Sequence, residues 1–307
     1  MTIDKIDIPI LLIVFNRPEH TQIVFNAIRQ LKPARLYISS DGPRITHNED
    51  SINIQKIEHI TSEIDWPCNV HRVANSENLG CKLAVISAID WFFENEAEGI
   101  ILEDDCVPTL GFFHYCSDML SIYREQKRVY SISGSCFFDN ENLIGHYFSD
   151  YALMWGWATW RDRWKQYEAS PANYRIDILK MWWRRPIVFA YWIKVFASVL
   201  NGSVNTWDYQ WILTVWRNNG LVCRPTRNLV KNIGFGEGAT HTLNQGDLLA
   251  NHPVDSHNIN FMTQVSLMKS NQQFDRFDEV IWAKISIISV ILMYLPIVRK
   301  LKKYWIN

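Results

Sequence analysis

Strand-like and helix-like segments alternate along the first third of the chain. Residues 8–15 form a continuous apolar run, and shorter strand-like segments follow at 36–39, 69–73 and 99–102. A continuous apolar run is typical of a strand covered on both faces. The segments between them, 18–31, 49–63 and 81–95, are predicted as helices, and Pro18 suits a first helical position. This β-α-β-α-β-α-β series predicts an α/β fold with a mostly parallel central sheet flanked by helices.

The second half of the sequence is richer in tryptophan. Most of the fourteen tryptophans fall between residues 155 and 216. We predict helices at 110–126, 175–200 and 210–218, a strand at 129–133 and an extended segment at 223–230. The aromatic stretch 153–160 suits core packing as well as an acceptor site, and 243–275 is expected to be loosely structured.

The C-terminal segment is apolar and then basic. Residues 280–298 are nearly long enough to span a bilayer, but Lys284 and Pro296 interrupt them. Four cationic and two aromatic positions follow within 299–305, which is the composition of an interfacial anchor on an anionic leaflet. We expect a C-terminal membrane-associating helix over 276–307. A spanning helix and a contact between soluble subunits stay open as alternatives.

Composition excludes several classes of protein. The formal net charge is −1 and no basic run lies within the first 270 residues, so nothing indicates a nucleic-acid partner. The six cysteines show no C-x-x-C spacing and predict neither a zinc site nor a disulfide framework. They fit a reduced compartment, and the N-terminus does not have the pattern of a signal peptide.

Polar residues end three of the predicted strands. Arg17 follows the first, Asp41 the second, and Glu103, Asp104 and Asp105 the fourth. The carboxyl ends of parallel strands share one edge of a sheet, where ligands of open α/β proteins bind. Three adjacent carboxylates repel one another, and a divalent cation such as Mn²⁺ or Mg²⁺ would remove that cost. A solvated acidic turn is the alternative.

Two later features add candidate chemistry. Asp208 stands among aromatic residues, where burial would raise its pKa towards that of a general base, although a helix-capping aspartate explains it equally well. The glycine-rich segment 234–242 suits a loop that folds over a bound ligand. Neither the G-x-G-x-x-G dinucleotide fingerprint nor the P-loop pattern occurs.

In their order, these motifs resemble a GT-A glycosyltransferase. The similarity is greatest to the inverting N-acetylglucosaminyltransferase (alpha-mannoside beta-1,2) family and its bacterial relatives of surface-polysaccharide and O-antigen synthesis. It extends from about residue 8 to 242. The matching motifs are Phe15-Asn16-Arg17, Ser40-Asp41, Glu103-Asp104-Asp105, Gly156-Trp157, Trp207-Asp208, Arg224-Pro225 and the loop ending at Thr240-His241.

The resemblance implies a role for each matching residue. Asp105 would be the metal ligand and Asp208 the catalytic base, whereas Arg17 and Asp41 would contact the nucleotide and its uracil. Donor contacts would come from the two acids before Asp105, from the tryptophan before Asp208 and from two loop residues, namely Glu103, Asp104, Trp207, Thr240 and His241. The implied fold is a Rossmann-like nucleotide-sugar domain with a helical, tryptophan-rich acceptor region.

These expectations give one GT-A domain over 1–270, with a nucleotide-sugar half of about 1–135 and an acceptor half of about 136–270. The implied reaction moves a sugar, N-acetylglucosamine or a related hexose, from a UDP-sugar to a glycan or lipid-linked acceptor. We expect a bacterial cytoplasmic enzyme, peripheral on the inner face of the cell membrane. A sugar nucleotidyltransferase and a non-catalytic glycan-binding protein are the alternatives.

Overall fold

The computed structural model describes residues 7–138, 145–235, 249, 252–255 and 268–295. An eight-stranded sheet and a two-stranded sheet form the frame of this part of the chain. The strands are β1 (Ile10–Val14), β2 (Arg35–Ser40), β3 (Asn69–Ala74), β4 (Glu98–Glu103), β5 (Cys106–Pro108), β6 (Val129–Ser133), β7 (His146–Ser149), β8 (Trp157–Trp160), β9 (Leu221–Pro225) and β10 (Val230–Asn232).

Ten helices accompany these strands in the described residues. They are α1 (Pro18–Leu31), α2 (Asn48–Ser62), α3 (Gly80–Asn95), α4 (Leu110–Tyr123), α5 (Arg161–Trp164), α6 (Tyr174–Trp182), α7 (Pro186–Leu200), α8 (Asp208–Arg217), α9 (Gln272–Ile281) and α10 (Ile287–Tyr294). The predicted strands and helices of the first third are therefore all present, within a few residues of the expected bounds.

The large sheet has the strand order β3-β2-β1-β4-β8-β6-β9-β7. Strands β3, β2, β1 and β4 are parallel neighbours, and β6 pairs with β9 in parallel. Only β8 and β7 run against the rest, since each forms antiparallel pairs with its neighbours. The predicted fold class, α/β with a mostly parallel central sheet flanked by helices, is confirmed.

Strand β1, in the middle of the parallel part of the sheet, is buried on both faces, as its continuous apolar run predicts. Leu11 and Ile13 belong to a core cluster that also contains residues of α3, α6, α7 and α8. Ile10, Leu12 and Val14 belong to a second cluster with residues of α1 and α4. Successive side chains of one strand thus enter two different cores.

The tryptophan-rich stretch is mainly core. Strand β8 lies between β4 and β6 in the middle of the sheet, and all four of its residues are buried. Gly156, just before it, has a positive φ of 64°, and a Cβ there would clash with Val230. The core-packing interpretation of residues 157–160 is therefore the correct one.

Two predicted helices are divided in the structure. The segment 175–200 forms α6 and α7, because Pro186 cannot continue a helix and takes the first turn of the next one instead. The helix predicted over 276–307 is also divided: α9 ends at Ile281, Lys284 has a φ of 53°, and α10 covers Ile287–Tyr294, whereas residues 296–307 lie outside the described residues. Within the residues that the structure describes, no helix has the length and hydrophobicity needed to cross a membrane.

Candidate functional site

The predicted acidic cluster lies at the carboxyl edge of the sheet. Strand β4 ends at Glu103, which is next to the final residues of β1 in the parallel register. Asp104 and Asp105 form the turn before β5, and Arg17, at the start of α1, bridges both carboxylates, at 3.1 Å from Asp105. Asp104 also accepts a hydrogen bond from the backbone N–H of Phe15, at 3.3 Å. Arg17 and the three acids therefore converge as predicted.

One guanidinium does not balance three carboxylates. Burial by itself lowers the pKa of Arg17, but the charges of Asp104 and Asp105 outweigh burial and raise it. Burial, followed by the charges of Asp105 and Asp104, raises the pKa of Glu103 to about 8. Burial also raises the pKa of Asp104 to about 6, despite the nearby Arg17. The cluster therefore favours an additional cation or an additional proton.

The chain enters the predicted ligand loop directly beside Asp105. Strand β10 pairs with β5, and the backbone N–H of Ile233 then donates to the Asp105 carbonyl at 2.8 Å. Gly234 contacts the Asp105 carboxylate so closely that a Cβ would clash with it. His20 of α1 holds the Ile233 carbonyl at 3.1 Å. The loop residues Thr240 and His241 lie outside the described residues.

Asp41 is at the same edge, but its carboxylate is occupied by the protein. The backbone N–H groups of Gly42, Leu79 and Gly80 donate to it at 3.0 to 3.1 Å. The amide groups of two asparagines complete the set, Asn75 at 3.1 Å and Asn78 at 2.9 Å. In this structure Asp41 fastens the start of α3 to the end of β2, and its contact with a uracil stays a prediction.

Asp208 is the first residue of α8 and is partly exposed. Its Oδ1 accepts hydrogen bonds from the Thr206 hydroxyl and, at 2.8 Å, from the backbone N–H of Tyr209. The side chain does not cap the helix, because Trp207 occupies the cap position. Trp207 is buried and stacks on Trp157 with ring centroids 5.7 Å apart. The structure thus places the predicted sugar-contacting tryptophan in the core behind Asp208.

Electrostatic coupling joins Asp208 to the acidic cluster. The negative charge of Asp208 contributes to the raised pKa of Glu103, after burial and the two neighbouring aspartates. Burial and then the charges of Glu103, Asp208 and Asp105 raise the pKa of the Cys81 thiol to about 12. Asp208, the acidic cluster and Cys81 therefore lie near enough for their charges to act on one another.

Cys81 is a site residue that the sequence interpretation missed. It is the second residue of α3, which starts at the carboxyl edge just after β3. The available signal was the Asn78-Leu79-Gly80 turn that precedes it. The first turn of a helix that follows a parallel strand lies at this edge of the sheet.

The acids suit a divalent metal in chemistry but do not form a complete ligand set. Carboxylate oxygens are ligands that Mg²⁺ and Mn²⁺ prefer. Across the residues with described positions, no group of three or more His, Cys, Asp or Glu side chains is arranged to hold a metal ion. Magnesium is commonly held by one or two carboxylates together with substrate phosphates, so Asp105 fits as a partial ligand.

Fold and site together define an α/β protein with an acidic, partly neutralised site at the carboxyl edge of its sheet. The chain shows no match to a protein family or to a characterised sequence.

Solved structures with a similar fold include HddC from Yersinia pseudotuberculosis, which is 11% identical over 50% of this chain and 77% of its own, with a TM-score of 0.32. A UDP-glucose pyrophosphorylase complexed with UDP-glucose is 10% identical over 71% of this chain and 90% of its own, with a TM-score of 0.38. The apo form of a UDP-glucose pyrophosphorylase covers the same shares, 71% and 90%, at 8% identity and a TM-score of 0.35. At these TM-scores the similarities carry no argument about function.

Proposed function

We propose that this chain is an enzyme that binds a nucleotide sugar at the acidic carboxyl edge. The observation that carries the proposal is the arrangement of Glu103, Asp104 and Asp105, in which Arg17 pairs with two of the three carboxylates and the charge of Asp208 adds to theirs. A diphosphate with a divalent cation suits such a site, because the cation compensates the carboxylates and Arg17 can pair with a phosphate. Asp105 would hold the cation, Mn²⁺ or Mg²⁺, which would stabilise the charge of the diphosphate leaving group.

Within this class we propose inverting sugar transfer, with Asp208 as the base. In the described part of the chain Asp208 Oδ1 has two hydrogen-bond donors, whereas Oδ2 has none. Oδ2 is therefore available to accept the proton of an acceptor hydroxyl as its oxygen bonds to the anomeric carbon. The nucleoside diphosphate leaves from the opposite face with the electrons of the broken C–O bond. Thr206 and Tyr209 hold the carboxylate in one orientation.

Nucleotidyl transfer is the second candidate. The names of the two UDP-glucose pyrophosphorylase structures agree with this alternative better than with sugar transfer. On the sequence argument, such enzymes usually carry a glycine-rich basic loop after the first strand. Here only Phe15, Asn16 and Arg17 separate β1 from α1, and Arg17 is already paired with the acids. We therefore place sugar transfer first and test both.

The decisive experiment measures two products from a panel of UDP-sugars with Mn²⁺. Sugar transfer or slow donor hydrolysis releases UDP, whereas nucleotidyl transfer run in reverse consumes added pyrophosphate and forms UTP. We expect UDP release. In Asp208→Asn this release should fall by about 10² to 10⁴ while donor binding persists, as for the loss of a general base.

Two further variants complete the test. Asp105→Asn should lose the Mn²⁺-dependent part of donor binding. Asp162→Asn, an exposed carboxylate of α5, should behave like the wild type. Formation of UTP would replace sugar transfer by nucleotidyl transfer, and full activity in Asp208→Asn would remove that residue as the base. Failure of every UDP-sugar to bind would overturn the nucleotide-sugar assignment itself.

For the acceptor and the location, the proposal rests on the sequence. We propose a hydroxyl of a glycan or lipid-linked acceptor in bacterial surface-polysaccharide synthesis, and N-acetylglucosamine or a related hexose as the sugar. An enzyme of this kind would act at the inner face of the cell membrane. The exposed residues of α6, α7 and α10 are relevant to this membrane location.

A further inference from the structure

Helices α6, α7 and α10 form a layer with unusually many exposed apolar side chains. Helix α7 packs against both α6 and α10, and the hydroxyl of Tyr294 on α10 donates to the Ala190 carbonyl of α7 at 2.9 Å. The exposed apolar residues of this layer are Ile176, Leu179, Trp183, Ile187, Ile287, Ile288, Ile291, Leu292, Tyr294 and Leu295. We name this set the apolar face.

The exposed charges that the segments of α6, α7 and α10 themselves carry are all positive. Between residues 178 and 207, and from 280 to the C-terminus, the sequence contains no Asp or Glu. The acid of α6, Asp177, is buried and paired with Arg217. The exposed cations are Arg175, Lys180, Arg184 and Lys284. In the sequence, residues 299–303 add four more cations.

Aromatic rings and cations of this layer are arranged in pairs. The guanidinium of Arg184 lies 4.6 Å from the centre of the Trp183 ring, and Trp183 is 61% exposed. The ammonium of Lys194 lies 5.2 Å from the centre of the Tyr294 ring, so α7 and α10 contribute one member each. Exposed aliphatic residues with Trp, Tyr and long cationic side chains are the composition of an interface with phospholipid headgroups.

We propose that the apolar face of α6, α7 and α10 docks on an anionic phospholipid surface. Charge complementarity decides for this occupant. A second copy of the chain would bring the same cations against each other, because a two-fold interface uses one patch twice. The proposal goes beyond the C-terminal segment, since the α6–α7 part supplies four of the ten residues of the apolar face and would lie flat with α10 on the membrane.

The test is co-sedimentation of the full chain with vesicles of phosphatidylglycerol and phosphatidylcholine, compared with phosphatidylcholine alone. We expect binding to the anionic vesicles that weakens with salt. The double variant Ile288→Glu/Ile291→Glu should lower that affinity by about tenfold or more, since each charge near the surface changes it by about fivefold. The matched control is Ile52→Glu, because Ile52 on α2 is 55% exposed and Ile291 is 52% exposed.

The α6–α7 part is tested separately with Trp183→Glu, which leaves the C-terminal segment intact. A loss of about fivefold in vesicle affinity is expected, and wild-type affinity would overturn the shared face. Failure of the wild type to bind anionic vesicles would overturn the proposal, as would a dimer in solution that Ile288→Glu/Ile291→Glu converts to monomers. Donor binding is measured without vesicles, so the docking and nucleotide-sugar proposals succeed or fail independently.

Discussion

Two acid-rich regions of this chain differ in how far their carboxylates are compensated by partners. At the edge of the sheet, Arg17 bridges Asp104 and Asp105, and the charge of the same guanidinium also acts on Glu103. On α9, by contrast, Asp278 pairs with Arg224, and Glu279 accepts hydrogen bonds from Arg185 at 2.6 Å and from the Tyr151 hydroxyl at 2.7 Å.

The third acid of α9 is satisfied without a cation. Asp275 accepts hydrogen bonds from the Ser149 hydroxyl at 2.6 Å and the Asp150 backbone N–H at 3.2 Å. Burial, followed by the charge of Asp150, raises the pKa of Asp275 well above its usual range. The comparison shows that buried acids alone do not identify a site. What distinguishes the sheet edge is that its acids are short of partners.

The largest expected effect falls on the balanced region. Arg224→Met removes the partner of Asp278, which is itself buried, and should lower the free energy of unfolding by about 3–5 kcal/mol. Denaturant titration measures this loss. Arg276→Met is the matched control. Arg276 is exposed on α9, the helix of Asp278, and its substitution should change the free energy of unfolding by less than about 0.5 kcal/mol. If Arg224→Met is as stable as the wild type, α9 is not held by this pair.

The next effect concerns Glu103 and pH. Its pKa is raised from 4.5 to about 8 in the folded chain, so between these values the folded state binds more protons than the unfolded state. The Glu103 contribution to stability is therefore present below pH 4.5 and is lost as the pH rises towards 8. Glu103→Gln should remove this loss and be more stable than the wild type by roughly 1–3 kcal/mol at pH 8.

Unfolding curves at pH 5 and pH 8 measure that difference for both proteins. At pH 5 the two should be nearly equal, because Glu103 is protonated there in the folded state. Addition of Mn²⁺ at pH 8 should stabilise the wild type more than Glu103→Gln. An equal pH dependence in both proteins would show that the acids at the sheet edge are already compensated, and the contrast with α9 would fail.

The smallest effect is a change in thiol reactivity. Burial, with the charges of Glu103 and Asp208, raises the pKa of Cys81 to about 12, so its thiolate is scarce at pH 8 and alkylation is slow. In a Cys68→Ser background, Glu103→Gln should speed alkylation of Cys81 by about two- to fivefold. Peptide mass mapping follows the reaction. An unchanged alkylation rate would show that Cys81 lies away from the acidic cluster.

The sequence was most informative where a pattern was local. The apolar run of β1 predicted a strand buried on both faces, and the acids after residue 102 predicted a charged edge. The division of the predicted helix 175–200 was missed, although Pro186 is a local signal for it, because proline has no N–H to donate and clashes with the preceding turn. These features depend on neighbouring residues and on the periodicity of one element.

Contacts between distant residues could not be predicted in this way. Nothing near Arg224 indicates that its partner is Asp278, and nothing near Asp41 indicates that four groups of residues 75–80 occupy its carboxylate. Residues 243–275 were expected to be loosely structured, yet α9 starts at Gln272 and carries the buried acids. Such pairings arise only when the sheet brings separate segments together.

The pairing of Arg224 with Asp278 also bears on how the protein is made. Strand β9 leaves the ribosome well before α9, since synthesis proceeds from the N-terminus. Until residue 278 emerges, Arg224 of β9 lacks the carboxylate that neutralises its charge in the interior. The outer edge of the sheet, β9 and β7, is therefore expected to close only after most of the chain has been translated. Chains that end before α9 should be retained by chaperones or degraded.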